Sequence, residues 1–282
     1  MFVAFLFIPV VAGNVFMESS FRRIPEIAER QHGPRKTYML FDPCSTNKPG
    51  NRTISCSQIQ RKNNSKSGVY TIHPLYNPVD VMCDMTSDGG GWTVIQSRTK
   101  DDPSYAFDKS YQDYEKGFGS PEKSFWIGNT HLHALTSFPN NQQALRIELT
   151  RKEGDKPTVV QYRKFHVGTE QEKYKLTTGE YDGPPGYDAL SYHNDAKFTT
   201  KNWTNVYDGD SCSGSQSGGW WFKECSKSNL NGFHSTIHPL IRAFSITWHI
   251  KDKDESYYYT YHKVEMKIRD ADFGFCTGSL KS

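Results

Sequence analysis

Residues 88–98 read Asp-Gly-Gly-Gly-Trp-Thr-Val-Ile-Gln-Ser-Arg, and the prediction of the fold starts from this stretch. Its three glycines are turn residues. The segment Gly91–Ile95 that follows contains tryptophan, threonine, valine and isoleucine, residue types that favour a strand. The sequence therefore predicts a turn that leads directly into a short β-strand.

Further strands are predicted on both sides of this stretch. Gly68–Ile72 is a short strand bounded by turn residues. Ala144–Leu149 alternates apolar and polar side chains, as a half-buried strand does, and Val159–Val167 could pair with it across the turn at 154–157. Val264–Ile268 alternates again near the end. These patterns favour a fold built from antiparallel strands.

Helices are predicted to be few and short. Asn129–Leu135 has a capping asparagine followed by Leu132 and Leu135, three residues apart, and Tyr111–Phe118 is a second candidate. The stretch Tyr181–Ile241 is rich in Gly, Ser, Asn, Asp and Trp and has little period of either kind. Such a long irregular stretch in a compact domain is more often functional than idle.

Composition excludes several protein classes. The 282 residues include 34 Lys and Arg against 31 Asp and Glu, a net charge of +3 with the charges scattered, which argues against a nucleic-acid-binding face. A mean hydropathy of −0.72 with 35% hydrophobic residues excludes a multi-span membrane protein. Aromatic residues make up 14% of the chain, which excludes wholesale disorder.

The first forty residues predict a leader and an arm. Residues 1–13 form an apolar run that ends in small residues and is too short to span a bilayer, so it predicts a secretory signal peptide, although no basic residue precedes it. A buried strand is the alternative. Residues 14–40 have no clear hydrophobic period, no Gly-X-Y repeat and no sustained heptad, and we interpret them as a linker or arm.

Cysteine usage agrees with secretion. The number of cysteines is even and no pair has the C-x-x-C spacing of zinc ribbons or thioredoxin motifs, so disulfides are expected, with 15 possible connectivities. The six are Cys44, Cys56, Cys83, Cys212, Cys225 and Cys276. Glycosylation sequons stand at Asn51, Asn63 and Asn202.

Several phrases together resemble one family, the fibrinogen-related domain. The matching phrases run in the family's order from about Ile54 to Asp270: Gly68-Val-Tyr-Thr-Ile-His-Pro, Val81-Met-Cys-Asp-Met85, residues 88–98, Phe125-Trp-Ile-Gly-Asn129 with Leu132-His-Ala-Leu135, Gly218-Gly-Trp-Trp-Phe222, Cys225, Asn229-Leu-Asn-Gly232 and Glu265-Met-Lys-Ile-Arg269. Among its members the chain looks most similar to ficolins and to tachylectin-like lectins of arthropods.

The resemblance implies an α+β fold over residues 41–282, with a disulfide-closed N-terminal part, a central antiparallel sheet and a loop-rich binding part. It implies the bridges Cys56–Cys83 and Cys212–Cys225. Cys44 and Cys276 remain, near the two ends of the domain; they either pair with each other, which we favour, or link to another chain.

In this family the loop-rich part recognises acetylated sugars beside a calcium ion. The resemblance implies a pocket at Glu224, Cys225, Ser226, Arg242, Ala243 and Tyr257, shaped by a cis peptide between Glu224 and Cys225. Ala243 and Tyr257 keep the family's residue type. Ser226 replaces a histidine and Arg242 a tyrosine, while Gln216 stands at another aromatic position. Arg242 suits an acidic ligand such as a sialic-acid-type sugar; the alternative is a surface ion pair.

The implied calcium site departs from the family. Its two carboxylate positions fall on Thr204 and Val206, and a valine side chain offers no oxygen. A shifted Ca²⁺ site would use Asp208 and Asp210, and the alternative is a solvated acidic turn.

Two functions follow from the sequence. The first is a secreted, non-enzymatic lectin of innate defence that binds glycans on microbial or cell surfaces, with avidity from a homo-oligomer. The second is an extracellular protein-interaction or signalling ligand on the same fold with sugar binding lost. An enzyme has no supporting constellation, because Gly209-Asp-Ser-Cys212 lacks the glycines and the histidine base of a serine nucleophile.

Overall fold

The computed structural model describes most of the chain. The described residues are 27–32, 35–40, 54–62, 66–74, 77–99, 101–103, 105–138, 141–200, 217–224, 226–234, 244–276 and 278. The chain divides into two compact units, Met1–Asp42 and Pro43–Ser282. In the first, a backbone hairpin joins β1, Ile27–His32, to β2, Arg35–Leu40, within the segment that the sequence predicts as an arm.

The second unit contains the remaining elements. Its strands are β3 Gly68–Ile72, β4 Val79–Asp84, β5 Trp92–Thr99, β6 Phe118–Gly119, β7 Phe125–Trp126, β8 Gln143–Thr150, β9 Thr158–Val167, β10 Leu176–Asp182, β11 Thr199–Thr200, β12 Gly219–Trp220, β13 Ser228–Asn229, β14 Thr247–Trp248 and β15 Lys263–Asp270. Its α-helices are α1 Cys56–Arg61, α2 Tyr111–Lys116, α3 Asn129–Thr136 and α4 Phe273–Cys276. Short 3₁₀ turns lie at Ser87–Gly89, Ser191–His193 and Asp254–Tyr258. Across the described ranges, no helix has the length and hydrophobicity needed to cross a membrane.

An antiparallel sheet of nine strands organises the described part of this unit. The strand order is β10-β9-β8-β15-β5-β4-β3, and β7 pairs with β5 and β6 beside this path. The hairpin predicted at 144–167 is present, with Leu149 opposite Thr158. This is the fibrinogen-like architecture of a large antiparallel sheet with few short helices.

The glycine-rich turn before β5 is required by close packing. Gly90 and Gly91 have positive φ angles of 81° and 73°, a region that favours glycine. A Cβ atom on Gly90 would collide with the Met85 carbonyl, and one on Gly91 would meet the Phe273 ring. The turn therefore lets α4 pack directly against the start of β5.

The core lies against one face of the sheet. On β8 the buried residues alternate with half-buried ones, so Leu145, Ile147 and Leu149 face inward as predicted. Large rings extend this core toward the loop-rich part, where Trp126 stacks on Phe198 at 5.9 Å between centroids and Phe198 meets Trp221 edge-on at 5.4 Å. Edge-on and offset contacts of this kind add to the burial energy of the rings.

The helix ends differ from the sequence expectation at one place. Asn129 does not cap α3; the N-cap is Gly128, whose φ of 99° suits glycine, and Asn129 is the first helical residue. The α2 helix does have a side-chain cap, because the Ser110 side chain accepts from the Asp113 N–H and the Asp113 carboxylate accepts from the Ser110 N–H.

A buried disulfide closes the N-terminal part of this unit. Cys56 at the start of α1 is bonded to Cys83 on β4, the pairing that the resemblance implies. It links residues 27 positions apart. A loop of this size contributes about 3 to 4 kcal/mol in the chain-entropy model. Cys276 on α4 is also disulfide-bonded, and the predicted pairing with Cys44 falls on a residue outside the described ranges.

The opposite face of the sheet carries a buried lysine surrounded by carboxylates. The ammonium of Lys267 on β15 lies 2.9 Å from Asp84, 3.0 Å from Glu148 and 3.2 Å from Glu265. Its side chain is 4% exposed. Burial alone would lower the pKa of Lys267, but the attraction of Glu265, Glu148 and Asp84 outweighs it and raises that pKa. The lysine therefore stays charged and neutralises carboxylates from three different strands.

Replacing Lys267 should destabilise the fold more than replacing its neighbour on the same strand face. Lys267→Met leaves buried carboxylates without their shared cation, and we expect a loss of about 3 to 5 kcal/mol in the free energy of unfolding. Lys263→Met is the control, since Lys263 also pairs with Glu265, at 2.9 Å, but is 44% exposed; we expect it to cost less than about 1 kcal/mol. Urea unfolding measures both, and equal losses would contradict this account of the cluster.

Candidate ligand-binding site

The loop-rich part is held by a few very short ladders over a buried aromatic layer. β11 pairs with β12, and β13 pairs with β14, each over two residues. Trp220 and Trp221 are fully buried, so this pair is part of the core. With so few ladder bonds, the backbone groups of residues 217–234 need side-chain partners.

Two side chains of β5 supply the first partners. The Gln96 amide donates to the Leu230 carbonyl at 2.9 Å and to the Asn231 side chain at 3.2 Å. The Arg98 guanidinium donates to the Gly232 carbonyl at 2.8 Å, and its planar group lies 4.0 Å from the centroid of the Phe107 ring. Both side chains are buried. The central strand of the sheet thus fixes the position of the loop at residues 230–232.

Side chains of the loop complete this network from within. The Asn229 amide donates to the Ser217 carbonyl at 3.0 Å, and the Asn231 amide donates to the Gly219 carbonyl at 2.9 Å. The Ser217 hydroxyl accepts from the Phe233 N–H at 2.7 Å and donates to the Phe244 carbonyl. The two asparagines of the Asn-Leu-Asn-Gly phrase therefore act as substitutes for a regular backbone ladder.

A buried histidine fixes the next segment. Nε2 of His193 accepts from the backbone N–H groups of Lys227, at 3.1 Å, and Ser228, at 3.0 Å. Because these donors require a bare Nε2, the ring proton is on Nδ1, which donates to the Trp221 carbonyl at 2.7 Å. Burial lowers the pKa of His193 to about 4, and the ammonium groups of Lys223 and Lys227 act in the same direction.

The stability of the domain should fall as the pH is lowered from about 6.5 to 4. A histidine whose folded pKa lies below its unfolded value of about 6.5 binds its proton more readily in the unfolded chain, so stability is complete above that value and is lost as the pH falls through this window. A shift of this size corresponds to a loss of up to about 3 kcal/mol.

The pH dependence should belong mainly to His193. Urea unfolding across this pH range should show a clear slope in the wild type and a much weaker one in His193→Gln. His131 is the matched control: its pKa is also lowered by burial, but its ring Nδ1 has no hydrogen-bond partner among the described residues. A His131→Gln protein that loses the slope while His193→Gln keeps it would overturn this assignment.

Near the predicted pocket lies an exposed ring that the sequence did not indicate. Tyr192 is 36% exposed, and its hydroxyl donates to the Glu224 carbonyl at 2.6 Å. The Lys227 ammonium lies 4.7 Å and the Lys223 ammonium 6.0 Å from the centroid of the Tyr192 ring. No sequence pattern marked Tyr192 or His193, because they lie some thirty residues before the loop that they contact.

Two predicted pocket residues are instead buried. Ser226 is 2% exposed, and its hydroxyl donates to the Lys223 carbonyl at 2.8 Å. Tyr257 is 3% exposed and stacks on the His249 ring, with centroids 4.3 Å apart and planes 14° apart. The exposed Glu224 lies on the loop surface.

The remaining predicted site residues lie outside the described ranges. They are the pocket residues Cys225, Arg242 and Ala243, with the Glu224–Cys225 peptide; the calcium residues Thr204, Val206, Asp208 and Asp210; the Cys212–Cys225 bridge; and the sequons at Asn51, Asn63 and Asn202.

The donor set departs from that of the family's calcium ion at two positions, while Asp208 and Asp210 still offer carboxylates. A threonine hydroxyl and an apolar valine replace the two carboxylates, whereas calcium takes six to eight oxygens. Among the described residues, no three His, Cys, Asp or Glu side chains are grouped so that they could hold a metal ion.

Comparison with models of protein families identifies the family of this chain. The model of the fibrinogen beta and gamma chains, C-terminal globular domain, matches residues 52–271. The chain belongs to this family. A fibrinogen-like domain is a protein-interaction domain without catalytic activity, so the chain is not an enzyme.

Proteins of similar sequence narrow the choice of relatives within this family. Angiopoietin-related protein 7 from Bos taurus is 38% identical over 223 residues, which cover 77% of this chain and 62% of that protein. Angiopoietin-4 from Mus musculus is 35% identical over 80% of this chain and 44% of its own length. The chain thus spans less than two thirds of these relatives. They are angiopoietin-type proteins and not the ficolins and tachylectin-like lectins that the motifs suggested, so the finer prediction is not supported.

Solved structures share the fold. The fibrinogen-like globe domain of human ANGPTL2 aligns with a TM-score of 0.69 and 29% identity, over 78% of this chain and 99% of that domain. A lamprey fibrin D-dimer, complexed with the peptide ligand Gly-His-Arg-Pro-amide, aligns with a TM-score of 0.64 and 27% identity, over 77% of this chain and 73% of that one.

Proposed function

We propose that this chain is an extracellular protein-interaction or signalling ligand that binds a protein partner through its loop-rich part. The observation that carries the proposal is the burial of the described residues near the predicted pocket. Ser226 and Tyr257, which the lectin prediction assigns to the sugar pocket, are buried, whereas Tyr192, Lys223 and Lys227 reach the surface. An exposed tyrosine ring is typical of the residues that anchor protein interfaces, whereas charged side chains belong to the polar rim around them.

The relatives support this proposal. They are angiopoietin-related proteins, and the lamprey fibrin structure contains a peptide ligand bound to a protein of the same fold. Secretion is part of the proposal and rests on the predicted signal peptide at 1–13, the arm at 14–40 and the disulfide-containing domain at 41–282. Disulfides persist in oxidising compartments.

Sugar binding is the weaker candidate. Stacking on an acetyl methyl group requires an exposed ring face, and the Tyr257 ring is buried against His249. The substitutions at Thr204 and Val206 also remove the carboxylates of the calcium ion that accompanies the lectin pocket. Recognition of an acidic sugar by Arg242 remains the form of lectin activity that the sequence allows.

The protein and sugar candidates predict opposite behaviour on simple supports. The secreted chain should not be retained on N-acetylglucosamine or sialic acid resin, with calcium or with EDTA. It should bind the surface of cultured endothelial or epithelial cells, and mild trypsin treatment of the cells should abolish this binding while glycosidase treatment should not. The reasons are the buried Tyr257 ring and the family's role in protein interaction.

Retention of the chain on either sugar resin would contradict the proposal. Resin retention that is lost with EDTA would establish a calcium-dependent lectin and overturn the proposal. Retention that survives EDTA would establish a metal-free lectin. A fibrinogen-like domain of a known sugar-binding lectin serves as the positive control for the resin.

A further inference from the structure

The surface beside residue 224 carries two lysines on one exposed ring. Among the large hydrophobic residues that the structure describes, the exposed ones are Val69, Tyr105 and Tyr192. Of these, Tyr192 has the ammonium groups of Lys223 and Lys227 within 6.0 Å of its ring centroid. In the described part of the chain, neither ammonium has a carboxylate at ion-pair distance. Two positive charges thus lie beside one aromatic ring, with no acidic partner among the described residues.

Hydrogen bonds hold the backbone at residues 223, 224 and 227. The Lys227 N–H donates to His193, and the Lys227 carbonyl accepts from the His249 N–H at 2.8 Å. The Lys223 carbonyl accepts from Ser226, and the Glu224 carbonyl from Tyr192. Binding therefore does not require the loop to be ordered first, which lowers its entropic cost.

We propose that Tyr192, Lys223 and Lys227 form a receptor for one anionic side chain on an acidic segment of the protein partner, such as a sulfated tyrosine. An anion beside the Tyr192 ring is attracted by both ammonium groups, which lie 6.0 and 4.7 Å from the ring centroid. The Tyr192 ring provides a flat surface against which an aromatic sulfate ester can pack. The inference rests on the proposed function and names the partner chemistry of that site.

The charges favour a single acidic side chain over a sulfated polysaccharide. Glycosaminoglycan chains carry sulfates along their whole length and need an extended run of basic residues. Here the exposed Glu224 lies between the two lysines in the sequence, and its carboxylate would repel neighbouring sulfates. The patch therefore suits a single anion, and the Glu224 carboxylate disfavours the binding of further sulfates beside it.

A binding series with synthetic probes tests this proposal. The probes are a peptide with one sulfotyrosine flanked by aspartates, its unsulfated counterpart, and a heparin-derived oligosaccharide. The sulfated peptide should bind the wild-type protein about tenfold more tightly than its counterpart. That advantage should weaken as salt is raised.

Three double variants separate the contribution of this patch from general effects of charge. Lys223→Glu/Lys227→Glu should lose the preference for the sulfated peptide. Lys62→Glu/Lys66→Glu changes the charge equally at two exposed lysines near β3, at the opposite edge of the sheet from β10, and should keep it. Lys223→Gln/Lys227→Gln, a milder change, should show the same loss, and thermal unfolding of each variant checks the fold.

Several outcomes would overturn the proposal. They are equal binding of both peptides, an equal loss in the Lys62/Lys66 variant, or displacement of the sulfated peptide by the heparin oligosaccharide at lower concentration. This failure is distinct from failure of the proposed function. Trypsin-sensitive cell binding that persists in Lys223→Glu/Lys227→Glu would leave protein recognition intact and eliminate only this anion receptor.

Discussion

Two side chains of β5 donate hydrogen bonds to the backbone of a segment that has little regular structure of its own. Gln96 donates to the carbonyl of residue 230, and Arg98 donates to the carbonyl of residue 232. Asn229 and Asn231 of the same segment donate in turn to the Ser217 and Gly219 carbonyls. Buried backbone groups must find partners, and here the partners come from the middle of a nine-stranded sheet. The loop-rich part, whose own ladders span only two residues each, therefore takes its position mainly from the sheet.

The other face of the same strands fixes their register. β15 lies between β5 and β8, and its regular alternation against β8 puts Lys267 on the same face as Glu148, within reach of Asp84 on β4. A shift of one residue in β15 would turn Lys267 into the core and leave those carboxylates without their cation. Because Gln96 and Arg98 act from the neighbouring strand, correct pairing on the charged face also sets the geometry that supports the loop.

The sequence predicted those features of the fold that depend on short local patterns of residues. The alternation in β8, the hairpin to β9 and the glycine turn before β5 follow from periods and residue types that a short window contains. The family motifs predicted the architecture of the whole domain.

The candidate site was harder to predict, because its contacts join residues that lie far apart in the sequence. Nothing around residues 191–193 indicates that His193 accepts from Lys227 and Ser228, or that Tyr192 reaches Glu224. Likewise, the residue type of Tyr257 agrees with a sugar pocket, and only its packing against His249 shows that it is buried.

The two tyrosines explain how one fold can change its ligand. Tyr257 packs into the protein beside Ser256, whose hydroxyl accepts from the Ile250 N–H, so this ring contributes to the core of the loop region. Tyr192 is instead partly exposed; its hydroxyl donates to the Glu224 carbonyl and its ring lies beside two lysines. The scaffold that orients both rings is internal and polar, and it does not depend on what the surface binds. Substitution at a few exposed positions can therefore replace one ligand chemistry by another while the sheet, the Gln96 and Arg98 contacts and the His193 bonds stay unchanged.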